Sequence, residues 1–304
     1  MREHPTPYTL HPTKVYAVVL VGGKGKRLRP LSTASLPKAF LSITKDRKTM
    51  FRRTLDRIRG LVPDENIVVV ANRAHARLVK KDFPGIERQN LILEPVSRNT
   101  APAITLAASM LEKRDPAAVM AVLPTDQYIT EEKKFLEPLK QGIDFIRVKP
   151  DSIVTMGVKP RFPSTHFGYI KVEMRNAECE SITKVRKFVE KPDRKTAERY
   201  LRSGRYLWNT GAFLFKASFL LKLVKEYAPA IDRIISRPGD AGNAYRKMPN
   251  ISIDYAVIEK TRNVYCAKAE YEWHDLGGFE SLIKILTREG REFKLKGGKV
   301  VKIK

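Results

Sequence analysis

Five short apolar runs constrain the fold of this chain more than any other feature. They are "VYAVVLV" (15–21), "NIVVVAN" (66–72), "NLILEP" (90–95), "AVMAVLPTD" (118–126) and "SIVTMGVK" (152–159). Each is rich in Val, Ile or Leu and shows little in–out alternation, the pattern of a strand buried on both faces of a parallel sheet. Helical patterns lie between them. "TMFRRTLDRIRGLV" is one; "APAITLAASMLEKR" is another, with Asn99 and Thr100 as candidate caps and Pro102 in its first turn. Strand and helix alternating in this way predict an α/β sandwich, whose ligands sit beyond the carboxyl ends of the strands.

From about residue 160 the texture changes. "HFGYIKVE", "ITKVRKFVEKP", "GAFLFKAS" and "NVYCAKAEYEWHD" read as strands of a mixed or antiparallel insertion. A helix opens at Asp193 and stops at Gly204, and "SIDYAVIEKT" (252–261) reads as an amphipathic helix with no chemistry assigned. The first fourteen residues, bearing Pro and His, read as an arm, and "FKLKGGKVVKIK" as a short hairpin or edge strand.

The chain has 304 residues, 42% hydrophobic and 30% charged, with a net charge of +25. That charge raises the question of a nucleic-acid partner. Its cations are scattered, however, and no basic block is interleaved with aromatics, so solvated helix faces and a small anionic substrate account for them better. No apolar run is long enough for a bilayer span and the start has no apolar signal core, so a cytoplasmic protein without membrane contact is expected. Cys179 and Cys266 are far apart and read as free thiols.

After the first strand comes Gly22-Gly23-Lys24-Gly25-Lys26-Arg27-Leu28. A dinucleotide fingerprint would place a third glycine at Leu28 and an acid at Asn72, and the Lys-Ser/Thr pair of a Walker loop is absent. Glycine N–H groups beside Arg27 and Lys38 still make a site for a polyphosphate. A tight strand-to-helix turn with surface cations is the plain alternative. The long, non-helical "RPLSTASLPK" that follows favours binding.

"GGKGKRLRPLSTASLPK" resembles the signature of sugar-1-phosphate nucleotidyltransferases, G-G-x-G-x-R-L-x-P-L-[ST]-x(4)-P-K. The resemblance implies that the loop embraces a nucleoside triphosphate, with Arg27 and Lys38 on its β- and γ-phosphates and Gly22 and Gly23 against the nucleotide. "EPVSRNTAPA" is similar to the element found in mannose-1-phosphate guanylyltransferases. There Glu94, at a strand end, and the turn of Arg98, Asn99 and Thr100 offer acceptors and donors to a base edge, and a guanine's N1–H and N2–H₂ donors suit a nearby carboxylate. "VLPTDQYI" and "EWHDLGGF" look like the family's two metal motifs, which implies that Asp126 and Asp275 converge on Mg²⁺. Taken alone, an Asp at a strand end is an ordinary turn or cap residue. "THFGYIKV", "KFVEKPDRKTAERYL" and "YLWNTGAFLF" resemble the sugar-phosphate half. They imply Glu190 on sugar hydroxyls, Lys191 on the sugar's phosphate, and Gly168 and Asn209 against the hexose. Taken singly, Lys191 would be an exposed cation and Asn209 a turn residue.

Family members commonly carry Trp at Arg29, His at Gln127 and Ser at His274. The matching runs from about residue 15 to 283. It implies a Rossmann-like, GT-A-like nucleotidyltransferase sandwich with a mostly parallel central sheet and a mixed sugar-binding subregion. The organisation expected is an arm over 1–14, a catalytic domain over 15–290 and a terminal strand or hairpin over 291–304, with no β-helix or isomerase domain. The implied reaction is in-line attack by mannose 1-phosphate on the α-phosphorus of GTP, giving GDP-mannose and pyrophosphate, by an enzyme expected as a homodimer. Another sugar 1-phosphate or nucleotide, or a nucleotide-sensing subunit without chemistry, stays open at this point.

Overall fold

A computed structural model describes residues 13–23, 25–173, 181–236 and 241–304. The expected arm, apart from its last two residues, lies outside them, as do Lys24 and Cys179. The strands are β1 (Val15–Val21), β2 (Ile67–Asn72), β3 (Leu91–Glu94), β4 (Val119–Pro124), β5 (Gln127–Ile129), β6 (Ile153–Val158), β7 (Tyr169–Val172), β8 (Ile182–Val189), β9 (Tyr206–Lys216), β10 (Val264–Lys268), β11 (Trp273–Asp275), β12 (Phe293–Lys296) and β13 (Lys299–Ile303). The α-helices are α1 (Met50–Ile58), α2 (Ala76–Asp82), α3 (Thr100–Arg114), α4 (Glu132–Val148), α5 (Arg194–Ser203), α6 (Ala217–Tyr227), α7 (Pro229–Ile235), α8 (Ala241–Arg246) and α9 (Phe279–Arg288).

Nine strands form one sheet in the order β3-β2-β1-β4-β9-β6-β10-β8-β7. Its first four strands run parallel, as their continuous apolar character demands. β9 runs antiparallel to β4, β6 and β7, so the second half is mixed, with β6 and β10 its parallel pair. The α/β sandwich read from the sequence is therefore present, with its parallel character concentrated in the N-terminal half.

Both faces of the sheet are buried, which explains the missing alternation. Ala17, Val19 and Val21 point into a core shared with Phe51 and Leu55 of α1 and Phe135 and Leu139 of α4. Tyr16 and Val18 point into a second core with Ile104 and Leu111 of α3 and Leu220 of α6. α5 begins and ends as its sequence predicts: the Asp193 carboxylate accepts from the Thr196 N–H at 2.7 Å, and Gly204 takes φ 66°. Two smaller sheets complete the fold: β5 with β11, and the hairpin β12–β13. Cys266 is a free, buried thiol, and burial pushes its pKa up to about 12. Among the described residues no helix is long and apolar enough to cross a membrane.

Candidate active site

The carboxyl ends of β1, β2, β3 and β4 surround a cavity of about 510 Å³. Gly22, Gly23, Lys38, Glu94, Asn99, Thr100 and Asp126 line it, seven of the residues singled out in the sequence. The chain leaves β1 through Gly23 at φ 91° and Gly25 at φ 55°, backbone conformations that glycine adopts without strain. The Ser32 hydroxyl donates to the Gly25 carbonyl at 2.5 Å, folding the long loop back so that Lys38 comes beside Gly23. Asn99 also sits at positive φ, and its side chain caps α3 by accepting from the Thr100 N–H at 2.9 Å.

Asp126 and Asp275 do converge, and the two short strands explain how. β5 and β11 pair antiparallel with Gln127 opposite Asp275, and the Leu276 N–H donates to the Asp126 carbonyl at 2.9 Å. Thr125, just before, ties this turn to the end of β1 by donating to the Leu20 carbonyl at 3.0 Å. Burial, and then the Asp126 charge, push the Asp275 carboxyl up to about 6, although Lys38, Arg27 and Lys191 oppose the shift. Lys38 forms an ion pair with Asp126. Burial alone would lower the Lys38 pKa, but the charges of Asp126 and Asp275 hold it above its ordinary value. Arg27 and Asp275 line a second cleft of about 490 Å³, together with Gly277, Trp208 and Trp273.

The residues expected to hold the sugar phosphate also meet. The Asn209 N–H donates to the Gly168 carbonyl at 2.8 Å, and a Cβ on Gly168 would fall 2.6 Å from Glu190 Oε2. Glycine at 168 thus makes room for that carboxylate. Lys191 pairs with Glu190 from a left-handed backbone, φ 48°. Burial acts to lower the Lys191 pKa, but its hydrogen bond and charge attraction to Glu190 raise it on balance. Its charge favours the ionised forms of both Asp275 and Asp254.

Arg98 departs from the base-facing role expected of it. Its guanidinium donates to the Arg246 carbonyl, clamping the end of α8, and does not line the cavity. Glu94 lines the cavity but is only 5% exposed, and one of its oxygens accepts from the Tyr245 hydroxyl. Gln127 is buried and donates to the Thr210 carbonyl, and His274 makes a 2.9 Å contact with Glu272 through Nε2.

Sequence reasoning missed Asp254, Tyr245, Ser97 and Asn250. Ser97 and Asn250 line the nucleotide-sized cavity. Asp254 accepts from Asn209 Nδ2 at 3.2 Å; burial, and then Glu190, push its carboxyl up to about 7. It opens a five-residue π-helix, Asp254–Ile258, inside the stretch read as an ordinary amphipathic helix. An acid at the start of an apolar helix face was the available signal. Nothing in the sequence marked Tyr245.

The model of the nucleotidyl transferase family matches residues 16–291. Mannose-1-phosphate guanylyltransferase of Escherichia coli K12 is 36% identical over 297 residues, covering 91% of this chain and 61% of that protein. Xanthan biosynthesis protein XanB of Xanthomonas campestris pv. campestris is 34% identical over 290 residues, covering 91% of this chain and 60% of that one. This chain thus spans about three-fifths of the length of these curated relatives. A crystal structure from Thermus thermophilus, described as a mannose-1-phosphate geranyltransferase, superposes with a TM-score of 0.82 at 31% identity, over 90% of this chain and 79% of that one. By family match, overall fold and the glycine turn that opens its nucleotide-sized cavity, the chain belongs to the nucleotidyl transferase family.

Proposed function

We propose that this chain transfers GMP from GTP to mannose 1-phosphate, releasing pyrophosphate. The observation that carries the reading is the corner in which Lys191 pairs with Glu190 beside Gly168 and Asn209, with Asp254 bonded to Asn209. A phosphate held by Lys191 would have its sugar against Gly168, Glu190 and Asn209 and its free oxygens towards the aspartates. Relatives named as guanylyltransferases for mannose 1-phosphate support the choice of nucleotide and sugar.

Chemically, the nucleophile is already an anion near neutral pH, so no general base is required. The obstacles are repulsion between two anions and their misalignment. Lys191 offsets charge on the incoming phosphate. Arg27 and Lys38 do so on the departing pyrophosphate, and the N–H groups about Gly22 and Gly23 let the triphosphate approach. Glu94, Asn99 and Thr100 face the nucleotide from the far side of the cavity.

The donor set suits Mg²⁺. Asp126 and Asp275 are hard oxygen donors; burial, and then the Asp126 charge, raise the Asp275 pKa, a cost that a cation offsets. No group of three or more His, Cys, Asp or Glu forms a metal cage among the described residues, so phosphate and water oxygens would complete the sphere. Held there, Mg²⁺ would neutralise charge building on the reacting phosphate.

Pyrophosphate release measured over a grid of nucleoside triphosphates and hexose 1-phosphates tests the assignment. The expected maximum is GTP with mannose 1-phosphate. A maximum at UTP with glucose 1-phosphate would reassign the pair, and no release from any pair would remove the chemistry.

A further inference from the structure

The wall of the nucleotide cavity opposite the glycine turn comes from a segment distant in sequence. Between Tyr245 and Ile253 the chain is stitched along residues 94–101. Tyr245 donates to Glu94, Arg98 to the Arg246 carbonyl, the Ala101 N–H to the Ile251 carbonyl at 3.1 Å, and the Ile253 N–H to the Thr100 hydroxyl at 2.9 Å. Asn250, within this segment, lines the cavity itself. Tyr245 is 3% exposed and packs in the core beneath α3, so its ring is fixed and its hydroxyl has one direction.

We propose that Tyr245 is a positioning residue for nucleobase selection: by donating to one oxygen of Glu94 it holds that buried carboxylate as an acceptor aimed at the base. The inference rests on the reading that Glu94 faces guanine. A carboxylate accepts from guanine N1–H and N2–H₂, whereas adenine offers an acceptor at N1 and is rejected by an ionised Glu94. A neutral carboxyl would lose that distinction, because it becomes a donor. Burial pushes Glu94 towards the neutral form; the Tyr245 hydroxyl and the Arg98 N–H both act against it. The other charged groups facing Glu94 across the cavity are Lys38 and Asp126. Tyr245 makes no contact with substrate in this scheme and acts only through Glu94.

The test compares Tyr245→Phe, Glu94→Gln and the double variant with the native protein, using GTP and ATP with mannose 1-phosphate. Tyr245→Phe is expected to raise the KM for GTP roughly tenfold, as the loss of a hydrogen bond to a charged group does. The KM for mannose 1-phosphate and the kcat should hold, and the GTP-to-ATP preference should contract. The pH below which GTP affinity falls should move upward, since Glu94 protonates more readily. The double variant should be no worse than Glu94→Gln. Tyr245→Phe keeps the ring in its core position, so a selectivity change there reports the hydroxyl; a loss of selectivity that only tracks a lowered melting temperature would assign the effect to packing and overturn the proposal. An unchanged preference and pH profile in Tyr245→Phe would overturn it as well. If Glu94→Gln still selects GTP, the base-facing reading of Glu94 falls too; if it does not, only the role of Tyr245 falls.

Discussion

At the scale of single residues, Asp275 sets function against stability. Its pKa is raised in the folded chain to about 6 from 3.8, so between those values the folded state binds a proton that the unfolded state has released. Stability therefore falls as pH rises through that window, and the full cost is present above pH 6. Asp275→Asn removes the buried charge and, with it, the repulsion with Asp126. At pH 8 without divalent metal it should stabilise the protein by on the order of 2 kcal/mol, with little effect at pH 4. The same change should cut turnover roughly a hundredfold or more, because a hard oxygen donor is lost. Adding Mg²⁺ should raise the melting temperature of the native protein and leave that of the variant unmoved. Thermal melts at both pH values, with and without Mg²⁺, check this; equal responses would take Asp275 out of the metal role. For the native enzyme at sub-saturating Mg²⁺, kcat/KM should decline as pH falls below about 6, because protonation of Asp275 competes with the cation. Asp254 has a separate expected signature: Asp254→Asn should raise the KM for the sugar phosphate several-fold and spare that for GTP, since its hydrogen bond is to Asn209 and its charge faces Glu190.

The elements show which parts of the site sequence can reveal. β1, β2 and β4 were legible because burial on two faces leaves a run of Val, Ile and Leu that no helix of that length needs, and the half-buried edge strand β3 keeps the same apolar character. α5 was legible because Asp193 and Gly204 mark its ends chemically. The meeting of Asp126 with Asp275 was not legible from pattern, because β5 and β11 have three residues each, too few to show a period. Only the family's motif pairs supplied that link. Asp254 was lost because the buried Ala256, Val257 and Ile258 give its turn the look of an amphipathic helix, while its carboxylate accepts from Asn209. Arg98 was misread because a carbonyl from α8, far along the chain, takes its guanidinium. Two glycines test this placement. A Cβ at Gly277 would fall 2.6 Å from Asp275 Oδ2, and one at Gly168 would fall 2.6 Å from Glu190 Oε2. Neither takes a positive φ; at Gly277 only the carboxylate must swing aside, while at Gly168 Asn209 and Phe188, each 3.3 Å from the added Cβ, must also give slightly. Gly277→Ala should then lower kcat about tenfold with a melting point near native, and Gly168→Ala should act on the sugar-phosphate KM. A collapse of the fold in either would show that the glycine serves packing instead.

Across the whole molecule, the site lies where the parallel half of the sheet meets the mixed half, and β9 spans that seam, pairing with β4, β6 and β7 and carrying Asn209. The loop bearing Arg27 and Lys38 sits outside the sheet and depends on a third core. There Leu28, Leu41 and Ile43 pack with Tyr128, with Leu282, Ile285 and Leu286 of α9, and with Val300 of β13. Polar ties run alongside: Glu289 accepts from the Tyr128 hydroxyl at 2.5 Å and from the Lys45 N–H at 2.9 Å, and Arg291 donates to the Thr44 carbonyl at 2.9 Å. The terminal hairpin is thus the outer support of the phosphate loop, although it lies far in sequence from any catalytic motif. Val300 is completely buried, and trimming it to alanine removes two methyl groups and leaves a void, a cost of about 2 kcal/mol. A purely structural role would lower the melting temperature and leave the kinetics of the folded enzyme alone. Support of the loop predicts more. Val300→Ala should raise the KM for the nucleoside triphosphate several-fold, because Lys38 and Arg27 are held less firmly. The KM for the sugar phosphate, bound by β7, β9 and the turn after β8, should not move. Steady-state kinetics well below the variant's melting temperature separate the two cases: equal changes in both constants, or none, would disconnect the hairpin from the phosphate loop.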